Sequence, residues 1–175
     1  MQWPSWIDTS KLKPRKYWNT MPEMKKLDLE RHHQCVEIIN GGGDRPRGLG
    51  FTTSFLNLML AEIMVGAPSM RYLFIAKNRN NALFNKREFE HMVIREYGMS
   101  EITKSTIDSL NTSIGQGFRF ISFDDFTNSN RMVGISVDRV FIDIGDLISN
   151  YNEYELPQFN YKIREVTHAR RGDVI

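Results

Sequence analysis

Two stretches of this sequence hold side chains whose types and order could do chemistry together. The first, PRGLGFTT at residues 46–53, sets Gly48 and Gly50 ahead of two hydroxyls, Thr52 and Thr53, with Arg45 and Arg47 at its start. In a phosphate-binding loop, glycines let backbone N–H groups converge on phosphate oxygens and the start of the next helix adds a favourable dipole. A lysine then reaches the outer phosphates and a threonine hydroxyl holds Mg²⁺. Here the lysine position, just ahead of the threonines, is taken by Phe51. An apolar ring at that point would desolvate phosphate charge without pairing it. The second stretch, RVFIDI at residues 139–144, ends its apolar run at Asp143, about ninety residues beyond the loop. An aspartate closing such a strand can sit beside the loop threonine and organise Mg²⁺ through water.

On the loop alone, a glycine-rich turn capped by a threonine is the simpler reading. Loop, following helix and aspartate-ended strand are together more specific than any one of them. For the missing lysine, Arg45 and Arg47 lie in the loop and could pair with phosphate in a bidentate fork. Lys77 and Arg131 are more distant candidates, each also readable as an ordinary surface cation. Other chemistries are poorly served. His32 and His33 are adjacent, His91 and His168 are isolated, and with Cys35 they form no zinc spacing. Asp124 and Asp125 suit a turn or a cap, and nowhere do a nucleophile, a base and an orienting acid come together.

The elements that must position these residues follow from hydrophobic period. Before residue 30 the chain has Pro4, Pro14 and Pro22 and little periodicity, so it reads as an arm leading into a short helix near Leu27–Gln34. CVEII, followed by Gly41–Gly43, has the marks of a short buried strand and a loop. From Thr53 to Val65 the chain is apolar nearly all round, as in a helix packed against a sheet. RYLFIA is of strand length, and the segment after it carries a helical stripe through Phe89, Met92, Val93 and Tyr97 that Gly98 stops. STIDSL and GFRFISF read as two strands joined by a turn, and RVFIDI as a central parallel strand buried on both faces. Within the tail, residues 151–175, Tyr161–Val166 suggests one more edge strand. Strands alternating with helices make this an α/β layered domain with a mostly parallel sheet, spanning residues 31–150 behind an arm of residues 1–30.

These motifs in this order resemble the amino-terminal P-loop ATPase domain of the large terminase subunits that package DNA into tailed-phage heads. PRGLGFTT is similar to the family's loop, in which an arginine and a small run precede G-K-T-T. Arg47, Gly50, Thr52 and Thr53 match, and Phe51 replaces the lysine. RYLFIAKNRNNA is similar to the second strand and its helix start, and GQGFRFISF, NRMVG and RVFIDI follow the family's progression towards its acidic motif. Gln34 stands where an upstream glutamine contacts the base. The resemblance covers roughly residues 30–150 and implies a three-layer P-loop NTPase fold. It also implies ATP and Mg²⁺ as cofactors, with Thr52 and Asp143 on the metal and Arg131 as a charge-stabilising arginine. The implied partners are DNA, other packaging or phage proteins and further copies of the chain.

Departures from the family set the functional expectation. Its acidic motif ends in aspartate followed by the glutamate that positions the attacking water, and here Asp143 is followed by Ile144, with Asp146 the nearest replacement. Loss of one preorganised charge-stabilising group commonly costs about 3–4 kcal/mol of barrier, and two such groups are replaced. With roughly twenty-five residues after Asn150, the family's nuclease is not expected in this sequence. A degenerate nucleotide site on a binding or assembly module is therefore expected. The alternatives are an active packaging ATPase that uses Arg47 and Asp146, and a basic nucleic-acid-binding module.

Composition sets the outer bounds. A chain of 175 residues, 41% hydrophobic, can bury one sizeable core. A formal net charge of +2 does not by itself argue for nucleic acid. Lys11, Lys13, Arg15 and Lys16 do cluster beside Trp3, Trp6, Tyr17 and Trp18, a mixture that suits an arm packing its aromatics or a strand-binding surface. No apolar run approaches a membrane span, and the single Cys35 allows no internal disulfide. The expectation is a soluble cytoplasmic protein, in the host cytoplasm if phage-encoded.

Overall fold

The computed structural model describes residues 50–128, 130–132, 135–144, 155–168 and 173–174. The expected helix near residues 27–34 and the strand at CVEII lie outside them. The chain divides into two compact units, Met1–Gly66 and Ala67–Ile175.

In the first unit the described element is helix α1, Phe51–Val65. Its buried residues include Phe55, Leu56, Leu58, Met59, Leu60, Ala61 and Glu62, so burial runs round the helix, as an apolar sequence with no polar stripe requires. Gly66 ends it, donating its N–H to the Glu62 carbonyl at 2.8 Å.

The second unit is α/β. Its elements are β1 (Arg71–Ala76), α2 (Arg79–Tyr97), β2 (Ile102–Ser105), β3 (Ser109–Thr112), β4 (Gly117–Ser122), α3 (Phe123–Asn128), β5 (Arg139–Asp143), α4 (Glu155–His168) and β6 (Asp173–Val174). The sheet order is β2-β3-β4-β1-β5-β6. Parallel pairing joins β4, β1, β5 and β6, and antiparallel pairing adds β3 and β2 at one side. The sheet is thus mixed, with a parallel centre.

Helices cover both faces of that centre. On one face Tyr72 stacks on Phe118 at 4.6 Å and Phe74 on Phe120 at 5.3 Å, and Phe89 of α2 packs across both Phe118 and Phe120. On the other, Leu73, Ile75, Ile121 and Val140 meet Phe123 and Phe126 of α3 and Phe159, Ile163 and Val166 of α4. Side chains alternate across a strand, so one apolar run such as YLFIA serves both cores.

Helix α2 begins where Asn78 Oδ1 accepts the Asn81 N–H at 2.9 Å and ends at Gly98, whose φ of 92° favours glycine. Two sequence expectations are corrected. STIDSL is not one strand: Thr106 N donates to the Ser109 carbonyl at 2.9 Å, closing a tight turn between β2 and β3 with Ile107 exposed at its tip. Thr106 hydrogen-bonds Asp108 and Ser109 there, the polar turn chemistry that outweighs the β preference of Ile107. Likewise Tyr161–Val166 is helical, inside α4, because Phe159, Ile163 and Val166 recur at helical spacing and meet the core on one face. The tail's strand is instead β6, beside β5. Among the described residues, no helix is long and apolar enough to cross a membrane.

Candidate functional site

At the start of α1, Gly50 adopts the left-handed conformation (φ 80°, ψ 29°) and its carbonyl accepts the Ser54 N–H at 2.9 Å. No side chain caps this end, so the helix begins on a glycine and not on a threonine cap. Phe51 is then the first helical residue, not a loop residue, and is only 8% exposed. Thr52 is half-buried and Thr53 exposed, the latter's carbonyl accepting Asn57 Nδ2 at 2.9 Å. The turn brings N–H groups to a helix start, the geometry an anion uses. The position that would carry the lysine holds a buried ring.

In the second unit the corresponding chemistry lies at the carboxyl ends of the parallel strands, where ligands bind in α/β sheets. The register aligns Ser122, Ala76 and Asp143 in one row across β4, β1 and β5. Lys77 follows directly after Ala76, and Asp143 is half-buried at the end of β5. The next residue, Ile144, is 2% exposed and belongs to the core formed by Leu73, Ile75, Phe123 and Val140.

Beside this row, α3 begins. Ser122 Oγ accepts the Asp125 N–H at 3.1 Å, which places Asp124 and Asp125 in the helix's first turn, where negative charge is favourable. The capping side chain here is thus Ser122, and the two aspartates expected to make a turn or a cap are helical residues. A cavity of about 40 Å³ lies between Arg79, Asp108, Arg119, Ser122 and Asp125, enough for water and far too small for a nucleotide. Across it Arg119 Nη2 stands 3.8 Å from Asp108 Oδ2, a long pair with each side chain about one-third exposed, and so a weak one.

No family model matches this chain, and no curated protein matches it. The geometry therefore has to carry the functional reading.

Of the residues singled out from sequence, Gly50, Phe51, Thr52 and Thr53 belong to the first unit and Asp143 to the second. Gln34, Arg45, Arg47, Gly48 and Asp146 lie outside the described residues, as do His32, His33 and Cys35. Arg131 falls in a 3₁₀ turn, Asn130–Met132, after α3, and its side chain is outside the description. A hydroxyl and a carboxylate, Thr52 and Asp143, are hard oxygen donors of the kind Mg²⁺ takes. The apolar, buried Phe51 and Ile144 do not suit the outer phosphates or the attacking water. Among the described residues no group of three His, Cys, Asp or Glu side chains could hold a metal ion.

One polar cluster was not legible in the sequence. Lys86 is buried, and its Nζ donates to Glu90 Oε2 and to Ser105 Oγ, each at 2.5 Å. Burial alone would raise the Glu90 carboxyl, but the hydrogen bonds from Lys86 and Ser105, with the Lys86 charge, outweigh it and hold Glu90 below its ordinary value. A donating ammonium has no lone pair with which to activate Ser105. The cluster therefore fastens α2 to the edge strand β2. The Lys–Glu spacing of four was the available signal, although it ordinarily marks a solvated helix face.

Proposed function

We propose that this chain uses a terminase-type P-loop ATPase fold as a binding or assembly module linked to viral DNA packaging, with a degenerate nucleotide site. The observation that carries the reading is Ile144. It follows Asp143 at the end of a central parallel strand, where the resembled motif has its water-positioning glutamate, and its side chain is packed into the core. An isoleucine there has no carboxylate with which to orient water. Phe51, in place of the lysine, is buried in turn. Each loss is worth about a hundred- to a thousandfold in rate, so ATP and Mg²⁺ would at most be bound and not turned over. The partners of such a module are DNA, packaging proteins or further copies of the chain.

The test is steady-state ATP hydrolysis by monodisperse protein with Mg²⁺. Turnover indistinguishable from buffer, and the same in the Asp143→Ala variant, is expected. Sustained Mg²⁺-dependent hydrolysis that Asp143→Ala abolishes would sink the reading in favour of an active motor in which Arg47 and Asp146 replace the missing groups.

A further inference from the structure

Among the described residues of the second unit, helices cover the face of the sheet opposite α2 only in part. Helices α3 and α4 pack on it through Leu73, Ile75, Ile121 and Val140, towards the carboxyl ends of the parallel strands. Over the amino ends of β1 and β4 lies an open groove of about 410 Å³, within the range of small-molecule sites. Its floor is a row running across three strands, Asn111 on β3, Gly117 on β4 and Arg71 on β1. Arg119, paired with Ser109, comes next on the same face of β4. Ile135 and Val137 form an apolar wall.

Gly117 makes the depression. Its backbone is not in the left-handed region, and a Cβ there would meet only Asn111 Oδ1, at an ordinary 3.9 Å. Among the described residues nothing in the packing requires a glycine, although glycine in a strand is less favourable than alanine. A glycine paired on both sides, with open space above it, is the arrangement that admits the close approach of a ligand.

The charges around it are available. Arg71 is exposed, and among the described residues its guanidinium forms no ion pair, while its backbone is held by Asp138, whose Oδ2 accepts the Arg71 N–H at 2.6 Å. Among the described residues Arg119 has only the long contact to Asp108 to give up. From register, the two arginines stand diagonally across Gly117 with backbones about 7–8 Å apart, a separation that lets two planar forks close on one oxyanion.

We propose that this groove binds a small phosphorylated organic molecule. Its phosphate lies over Gly117 between Arg71 and Arg119, Ser109 and Asn111 supply further hydrogen bonds, and its apolar part rests on Ile135 and Val137. The site is distinct from the Asp143 row, which lies at the opposite ends of the same strands.

Adenosine monophosphate and inorganic phosphate are titrated calorimetrically at fixed ionic strength into the full chain and into the Arg71→Gln, Gly117→Val and Arg87→Gln variants. The nucleotide is expected to bind at least tenfold more tightly than phosphate. Arg71→Gln and Gly117→Val should each weaken it at least tenfold, and Arg87→Gln, which removes an exposed charge on α2 across the sheet from the groove, should leave it unchanged. Equal affinity for the two probes, no binding of either at millimolar concentration, or equal weakening by Arg87→Gln and Arg71→Gln would overturn the proposal. Circular dichroism checks each fold, and if Gly117→Val does not fold, the exposed Arg71→Gln decides alone.

Discussion

Strand β1, RYLFIA, has parallel partners on both sides and is buried from Tyr72 to Ala76, whereas β2, ITKS, pairs among the described strands only with β3 and leaves Thr103 to Ser105 exposed. Both are strands of one sheet, yet their sequences share almost nothing. A central parallel strand must fill two cores, so it needs an apolar side chain at every position. An edge strand must instead avoid offering itself to another chain, and a short polar strand carrying a lysine does that. Helix α2 spans the two regimes: Phe89 packs on the aromatic row of the centre and Lys86 reaches Ser105 on the edge.

That contrast can be broken at its strongest point by Phe89→Ala. The ring is fully buried between Phe118 and Phe120, and its removal should cost about 3–5 kcal/mol, read as a lowered urea midpoint with an unchanged slope. A loss under about 1 kcal/mol would mean that the aromatic row does not hold α2 on the sheet.

Lys86→Met tests the junction. Removing the donor to Glu90 and Ser105 should cost about 1.5–3 kcal/mol, the usual worth of hydrogen bonds to charged groups. It also has a pH signature. Glu90 lies below its ordinary 4.5, so its contribution is complete above pH 4.5 and is lost as pH falls through the lowered folded value. In Lys86→Met the acid loss below pH 4.5 should shrink. An unchanged acid limb would remove the cluster from the account.

The smallest effect is expected at the edge. Lys104→Val, on the exposed strand, should change stability by no more than about 0.5 kcal/mol. Sedimentation should nevertheless show more self-association with concentration, because the charge that discourages edge pairing is gone. A monomeric variant at high concentration would show that Lys104 does not guard β2.

The centre of the second unit was the legible part. RYLFIA and the helix ending at Gly98 have the bounds that period and punctuation gave them, and GFRFISF and RVFIDI each ran one residue past the observed strand, because strand-length apolar runs and a φ-positive glycine are local signals. The flank and the tail were harder. Ile107 made STIDSL look like one strand, although the hydroxyls and carboxylate around it form a turn. Tyr161, Ile163 and Val166 suggested a strand because such residues favour sheets, whereas the spacing of Phe159, Ile163 and Val166 is helical. The candidate site was legible as residue types: Gly50, Thr52, Thr53 and Asp143 stood out by order and spacing. What surrounds them was not, since burial depends on neighbours remote in the chain.

The sequence by itself therefore determined the α/β alternation, the helix starting near the loop threonines, the aspartate closing a buried strand and the absence of a lysine before Thr52. Short-range periodicity, glycine punctuation and residue identity are enough for these. Only the tertiary structure decided that Ile144 is a core side chain and that Phe51 opens a helix and is buried. It alone set Lys86 inside the fold and left Gly117 at the floor of an open groove between two arginines. The places of Ile144 and Gly117 depend on which strands lie side by side and in what register, and those of Phe51 and Lys86 on what packs around their helices.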